Sequence, residues 1–235
     1  IGGLAILAVG ALLAIAPMSF SSDWLGLLVF VGLTIALEFA AIELYSRGTT
    51  VSVSAVIMIS GAALFGAPAV VALSLATLVP ALVRRRAPLY RAIFNLSNYV
   101  LCSSVVVGGL GLFNDFRSQN VVIQLPVMVV VSMLVYVANT ATVSLVMGFS
   151  TGQPIRQVWT ENFSWLWTYY VGFGVVAYAL FYGYMHTGLL GVLVMLVPLM
   201  MLRWSQAQYI SRTALLVAEL RKTNAELVHT SAQLA

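Results

Sequence analysis

Residues 66–104 read GAPAVVALSLATLVPALVRRRAPLYRAIFNLSNYVLCSS. A Gly-Ala-Pro break opens the stretch, an apolar run follows over 69–83, and "RRRAP" separates it from a second run that continues to about 113. Neither run alternates with the period of two that marks a half-buried strand. An arginine cluster pinned between two apolar runs reads as a turn at the cytoplasmic face of a bilayer, because short inner loops collect Lys and Arg. The predicted elements are therefore membrane helices.

The same alternation recurs in both directions. Apolar segments are drawn over 2–19, 24–45, 51–66, 69–83, 89–113, 121–148, 164–186 and 188–203, with polar, Gly- or Pro-containing breaks between them. Hydrophobic residues make up 61% of the chain and charged residues 8%, against about a quarter charged in soluble domains. Mean hydropathy is +1.01. With eight crossings and both termini cytoplasmic, ten of the eleven Lys and Arg residues face inward and Arg117 alone faces outward. Trp159, Trp165, Trp167 and Trp204 then fall at the inner interface and Trp24 at the outer, as an aromatic belt requires. The expected fold is an all-α polytopic membrane bundle of about eight transmembrane helices. A seven-span count follows instead if the short third and fourth segments are re-entrant. Between the sixth and seventh, "RQVWTENFSW" (156–165) reads either as a short amphipathic segment or as a Trp-anchored loop.

The chain closes on VAELRKTNAELVHTSAQLA (217–235), which is polar and helical in pattern. With Ile210 at heptad position a, Val217 and Asn224 share that column, while Leu220, Leu227 and Leu234 fall at d. Leu at d with one Asn at a favours a paired, in-register parallel coiled coil. The competing reading is an amphipathic helix lying on the membrane. The division expected is a transmembrane bundle over 1–204 and a cytoplasmic signalling helix over 205–235, joining a homodimer to an output domain beyond it. Ile1 in place of Met suggests truncation at both ends.

Polar side chains inside spans point to function, because hydrocarbon penalises them. Glu38 is the deepest carboxylate. Asn95 and Asn98 share a helical face with Cys102 one turn on, and Asn139 sits on the sixth segment. Glu38, Arg91, Asn95, Asn98 and Asn139 are the candidate ligand site, with Arg91 a partner for Glu38. For the asparagines the favoured reading is interhelical packing pairs, worth about 0.6 kcal/mol each, and for Glu38 it is the ligand or proton site. Arg84, Arg85 and Arg86 are expected to meet lipid headgroups, not nucleic acid. A single cysteine, and His186 far from His229, predict neither a disulfide framework nor a metal site. No Ser/His/Asp set or paired carboxylates suggest catalysis, and no cofactor is expected.

Residues 49–101 also resemble the N-terminal membrane module of bacterial signalling proteins, especially those carrying HD-GYP phosphodiesterase or related phosphohydrolase domains. The shared pattern is a Ser-containing helix (Ser52, Ser54), an "LFGAP" turn (Leu64 to Pro68), a basic loop (Arg84 to Arg86) and "RAIFN" opening the next helix (Arg91, Phe94, Asn95). That resemblance implies a multi-pass sensor in the bacterial inner membrane feeding a cyclic-dinucleotide enzyme. Two other classes stand beside it: a small-solute transporter or its membrane substrate-binding subunit, and an accessory subunit of a respiratory or photosynthetic complex.

Overall fold

The computed structural model describes residues 2–19, 21–40, 42–43, 50–51, 53–83, 88–113 and 116–234; the two short strands, and many positions beyond residue 201, are described by backbone alone. In chain order the elements are α1 Gly2–Ile15, α2 Trp24–Phe39, β1 Ile42–Glu43, β2 Thr50–Val51, α3 Ser54–Phe65, α4 Ala67–Ala76, α5 Leu78–Val83 and α6 Leu89–Gly111. They continue as α7 Val121–Thr151, α8 Ile155–Asn162, α9 Trp167–Thr187 and α10 Leu189–Leu234. Every predicted apolar segment holds a helix.

The breaks have local causes. Asp23 caps α2 by accepting from the Gly26 N–H at 3.0 Å, and Asn120 caps α7 by accepting from Ile123 N–H at 3.1 Å. Gly66 adopts φ 71° between α3 and α4, with Pro68 in the first turn beyond, so the predicted "GAP" turn is a corner only glycine takes readily. The fourth segment is two helices: α4 stops at Ala76, four residues before Pro80, whose ring clashes with that carbonyl and lacks an N–H to offer it. The second segment also ends sooner than expected. α2 stops at Phe39, and Ile42–Glu43 pair antiparallel with Thr50–Val51, satisfying backbone groups in a β-branched stretch that favours strand.

By length and composition, α6 and α7 are the helices that suffice to cross a membrane. Five other apolar helical stretches, Gly2–Ile15, Trp24–Phe39, Ser54–Phe65, Ala67–Val83 and Leu189–Met201, are shorter than the roughly 20 residues a full crossing needs. "RQVWTENFSW" forms α8 and a following 3-10 turn; Val158 is buried and the Trp159 indole N–H donates to Thr140 Oγ1 at 3.1 Å.

α3 is the central post. Eleven of its twelve residues are buried, and it touches α2, α4, α6 and α9. The turns α1–α2, α3–α4, α6–α7 and α9–α10 gather at one end. There Ala67 N–H donates to Met18 O at 2.9 Å, Arg117 donates to Leu64 O, and the Tyr184 hydroxyl donates to Asp23. Phe30, Phe65 and Tyr184 meet edge to face at 5.5–5.8 Å in the same region, tying α2, α3 and α9 together. These are the turns the charge bias assigned to the outer side.

The outer surface is apolar. Ile6 is 75% exposed, Leu13 69% and Leu190 69%, with Leu193, Val194 and Val197 alongside. So continuous an apolar exterior suits lipid and not water.

One prediction arises at the gathered turns. The Gly26 backbone N–H, and after it the Tyr184 hydroxyl, hold the Asp23 carboxyl below the usual carboxylate range. A depressed carboxylate contributes stability above its unfolded pKa, near 3.9, and that stability is lost as pH falls through the folded value. Asp23→Asn, which keeps a capping oxygen, should therefore melt below wild type at pH 7. The gap should close as the pH is lowered below about 4, read by thermal unfolding in detergent. A gap unchanged by acid would remove the charge from this account.

Candidate functional site

At the end of the bundle opposite the gathered turns, four helices converge on a small pocket of about 30 Å³. α3 supplies Met58 and Ile59, α6 supplies Val106, and α7 supplies Val135. Tyr99 and Cys102 of α6, Asn139 of α7 and Tyr170 of α9 also line it. Its accessible wall is nearly all apolar, because the polar atoms are occupied with one another.

Two hydrogen-bonded groups surround it. In the first, Cys102 Sγ–H donates to Asn98 Oδ1 at 3.8 Å, Asn98 Nδ2 donates to Asn139 Oδ1 at 2.6 Å, and Asn139 Nδ2 donates to the Tyr170 hydroxyl oxygen at 3.0 Å. This chain links α6, α7 and α9. Ser132 Oγ adds a second α7–α9 tie by donating to Tyr170 O at 2.7 Å. In the other group, Glu38 Oε1 accepts from Ser54 Oγ at 2.5 Å and from the Tyr99 hydroxyl at 3.3 Å. Glu38 is 2% exposed. It joins α2 to α3 and α6, and Tyr99 belongs to both the carboxylate cluster and the pocket wall.

The close approach of α7 and α9 depends on Gly174. A Cβ built there would lie 2.7 Å from Val129 Cα and 3.2 Å from Met128 O. Those are backbone atoms, so no side-chain rotation relieves the crowding.

The structure divides the predicted ligand residues. Asn98 and Asn139 bond to each other and make interhelical bonds beside the pocket, while Glu38 belongs to the other group, with Ser54 and Tyr99. Asn95, one turn nearer the start of α6, is exposed. Arg91 is exposed too, its guanidinium 5.9 Å from the Tyr90 ring centroid, so the hydroxyls of Ser54 and Tyr99 stand at Glu38 where Arg91 was expected. Arg84, Arg85 and Arg86 lie outside the described residues. α10 carries the heptad positions on helical backbone to Leu234. Val217 is half-buried and Leu220 is 69% exposed, while the side chains of Ile210, Asn224, Leu227 and Leu234 lie outside the described residues.

Sequence reasoning missed Tyr99 as a partner of Glu38, 61 residues away. Tyr170 was visible only as a polar residue opening an apolar segment. The signal for both was amphipathicity, a phenol being apolar along its ring and polar at one atom.

The MASE9 family model matches residues 14–210, and the chain belongs to that family. MASE domains are membrane-associated sensor modules. No curated protein and no solved structure matches the chain. The sensor part of the resemblance read from residues 49–101 agrees with this family; its HD-GYP part rests on the resemblance alone.

Proposed function

We propose that this MASE9 chain senses a molecule in the pocket between α3, α6, α7 and α9 and conveys its presence along α10 to a cytoplasmic output domain, a cyclic-dinucleotide phosphodiesterase in the reading the resemblance suggests. The eight apolar segments cross the inner membrane of a bacterium, both termini inside, the short ones completed by flanking interfacial residues. Two copies pair through the heptads of 210–234. Basic residues of the inner loops, Arg84 to Arg86 among them, meet anionic headgroups.

The observation that carries this reading is α10. It runs unbroken for 46 residues, with Val192 and Leu199 buried in the bundle and Leu215, Leu216 and Leu220 exposed beyond it. At 1.5 Å per residue its length is about 70 Å, so one helix, with Pro198 inside it, spans both the membrane part and the exit. It also packs on α9, which bears Tyr170. A tilt or rotation of α9 therefore reaches α10 directly, the kind of shift a signal can bias. Leu220, at a d position and 69% exposed, suits a helix that buries it against a second copy.

The test is disulfide cross-linking in native membranes, with single cysteines placed along 210–234 in a Cys102→Ala background. Yields should peak at the a and d positions 210, 213, 217, 220, 224, 227, 231 and 234 and fall to background between them. Yields without periodicity, or none at any position, would sink the paired-helix reading.

A further inference from the structure

We infer that α9 sets the upper end of the pair of chains: within the bundle it covers the same face of α10 by which two copies meet beyond it. This rests on the paired-helix reading of residues 210–234.

The heptad register makes the case. Counting back from Ile210 at a, the a and d columns pass through Arg203 and Gln206 to Leu189, Val192, Leu196 and Leu199. Val192 and Leu199 are 2% and 1% exposed, Leu196 packs against the same core, and Leu189 is half-buried. α10 packs there on α9. The contact is closest near its outer end, where a Cβ built on Gly191 would run into the carbonyl carbon and oxygen of Gly183. The a/d stripe is therefore taken as far as Leu199.

The free stripe lies elsewhere. Leu190, Val194, Val197 and Met201 are 62–69% exposed, and at 3.6 residues per turn they stand about half a turn round the helix from Val192 and Leu199. A straight helix drifts about 20° per heptad against a seven-residue repeat, so Leu199 and Leu220, three heptads apart, stay within about 60° of each other. The exit seam thus follows the covered stripe and not the free one. Between them Arg203 and Gln206 put two polar residues into the seam, which a coiled coil accepts at a cost in stability. Below this interval a second copy has the seam to itself. Above it, the face in register belongs to α9, and the exposed face points away from the partner. A pair that grew upward would have to displace α9, the helix that bears Tyr170.

The test is copper–phenanthroline cross-linking of the full chain in native membranes, with Leu220→Cys, Met201→Cys, Val194→Cys or Leu199→Cys in a Cys102→Ala background. Each is made in the wild-type chain and in chains with two or seven alanines inserted between Ser205 and Gln206. Two residues turn the exit seam by about 200° and align it with the free stripe, whereas seven turn it by about 700°, close to its starting phase. In the wild-type chain Leu220→Cys should cross-link and the other three should not. The two-residue insertion should raise Met201→Cys and Val194→Cys well above background, because the continuous helix carries them to the partner. The seven-residue insertion should return both to background, and Leu199→Cys should stay silent throughout. Cross-linking of Leu199→Cys in the wild-type chain would overturn the cover by α9. Cross-linking of Met201→Cys or Val194→Cys there, or equal yields from them with two and seven inserted residues, would overturn the register. If the two-residue chain fails to reach the membrane, the wild-type chain still decides, since a reactive Met201→Cys or Leu199→Cys sinks the inference by itself. All these failures leave Leu220→Cys cross-linked; its silence in the wild-type chain would instead end the paired-helix reading and this inference with it.

Discussion

Gly174→Ala should destabilise the bundle by about 1–3 kcal/mol, the usual range for forced overpacking, and Gly172→Ala should not. The two glycines lie two residues apart on α9 in the same helical backbone. A Cβ at Gly172 meets nothing within 4 Å, whereas at Gly174 it meets Val129 Cα at 2.7 Å and Ser132 Cβ at 3.1 Å. Helix propensity favours alanine over glycine by up to about 1 kcal/mol at either site, so Gly172→Ala is expected to be neutral or mildly stabilising. The contrast isolates the crowding. α9 can relieve it only by moving away from α7, which strains the Ser132–Tyr170 and Asn139–Tyr170 bonds at 2.7 and 3.0 Å. The same substitution should therefore loosen the α7–α9 ties as well as lower the melting temperature. Equal melting of the two variants would mean that α7 and α9 accommodate a methyl group, and the pocket would not depend on their spacing.

How much of this was legible beforehand depends on the range of the interaction. Helix positions followed from apolar runs, and the turns from Gly66, Pro68, Asp23 and Asn120, because these act on their own few neighbours. The break at Ala76 was legible in principle from Pro80, since proline acts on the fourth residue back. The pairing of Ile42–Glu43 with Thr50–Val51 was not, because strands of two residues carry no period to read. Glu38, Asn98 and Asn139 stood out as polar residues in apolar runs, and each makes a side-chain bond to another helix. Their partners could not be read, since hydrogen bonds across 31 to 61 residues of sequence depend on how helices rotate against one another. Asn95 shows the limit. It shares the composition signal of Asn98 and lies three residues away, yet it is exposed.

Glu38→Ala should be the most damaging single change near the pocket, and Glu38→Gln should be mild. Truncation to alanine removes the side chain of a fully packed residue and leaves a cavity, a class of change that costs about 2–5 kcal/mol for residues of similar size. It also removes the acceptor that the hydroxyls of Ser54 and Tyr99 use at 2.5 and 3.3 Å. Glutamine keeps the volume and one side-chain oxygen, so both hydroxyls retain a place to donate. The order expected in thermal unfolding is wild type, Gln, then Ala far below. A second consequence follows from Tyr99, which leans on Glu38 and lines the pocket at once. In Glu38→Ala its hydroxyl is released, and the wall it forms should become more permeable, so Cys102 should react faster with methyl methanethiosulfonate even where the fold survives. Were Gln to fall as far as Ala, the charge and not the acceptor would hold α2 against α3 and α6. The same outcome would favour the transporter reading, in which a buried carboxylate is retained for the proton or cation it binds.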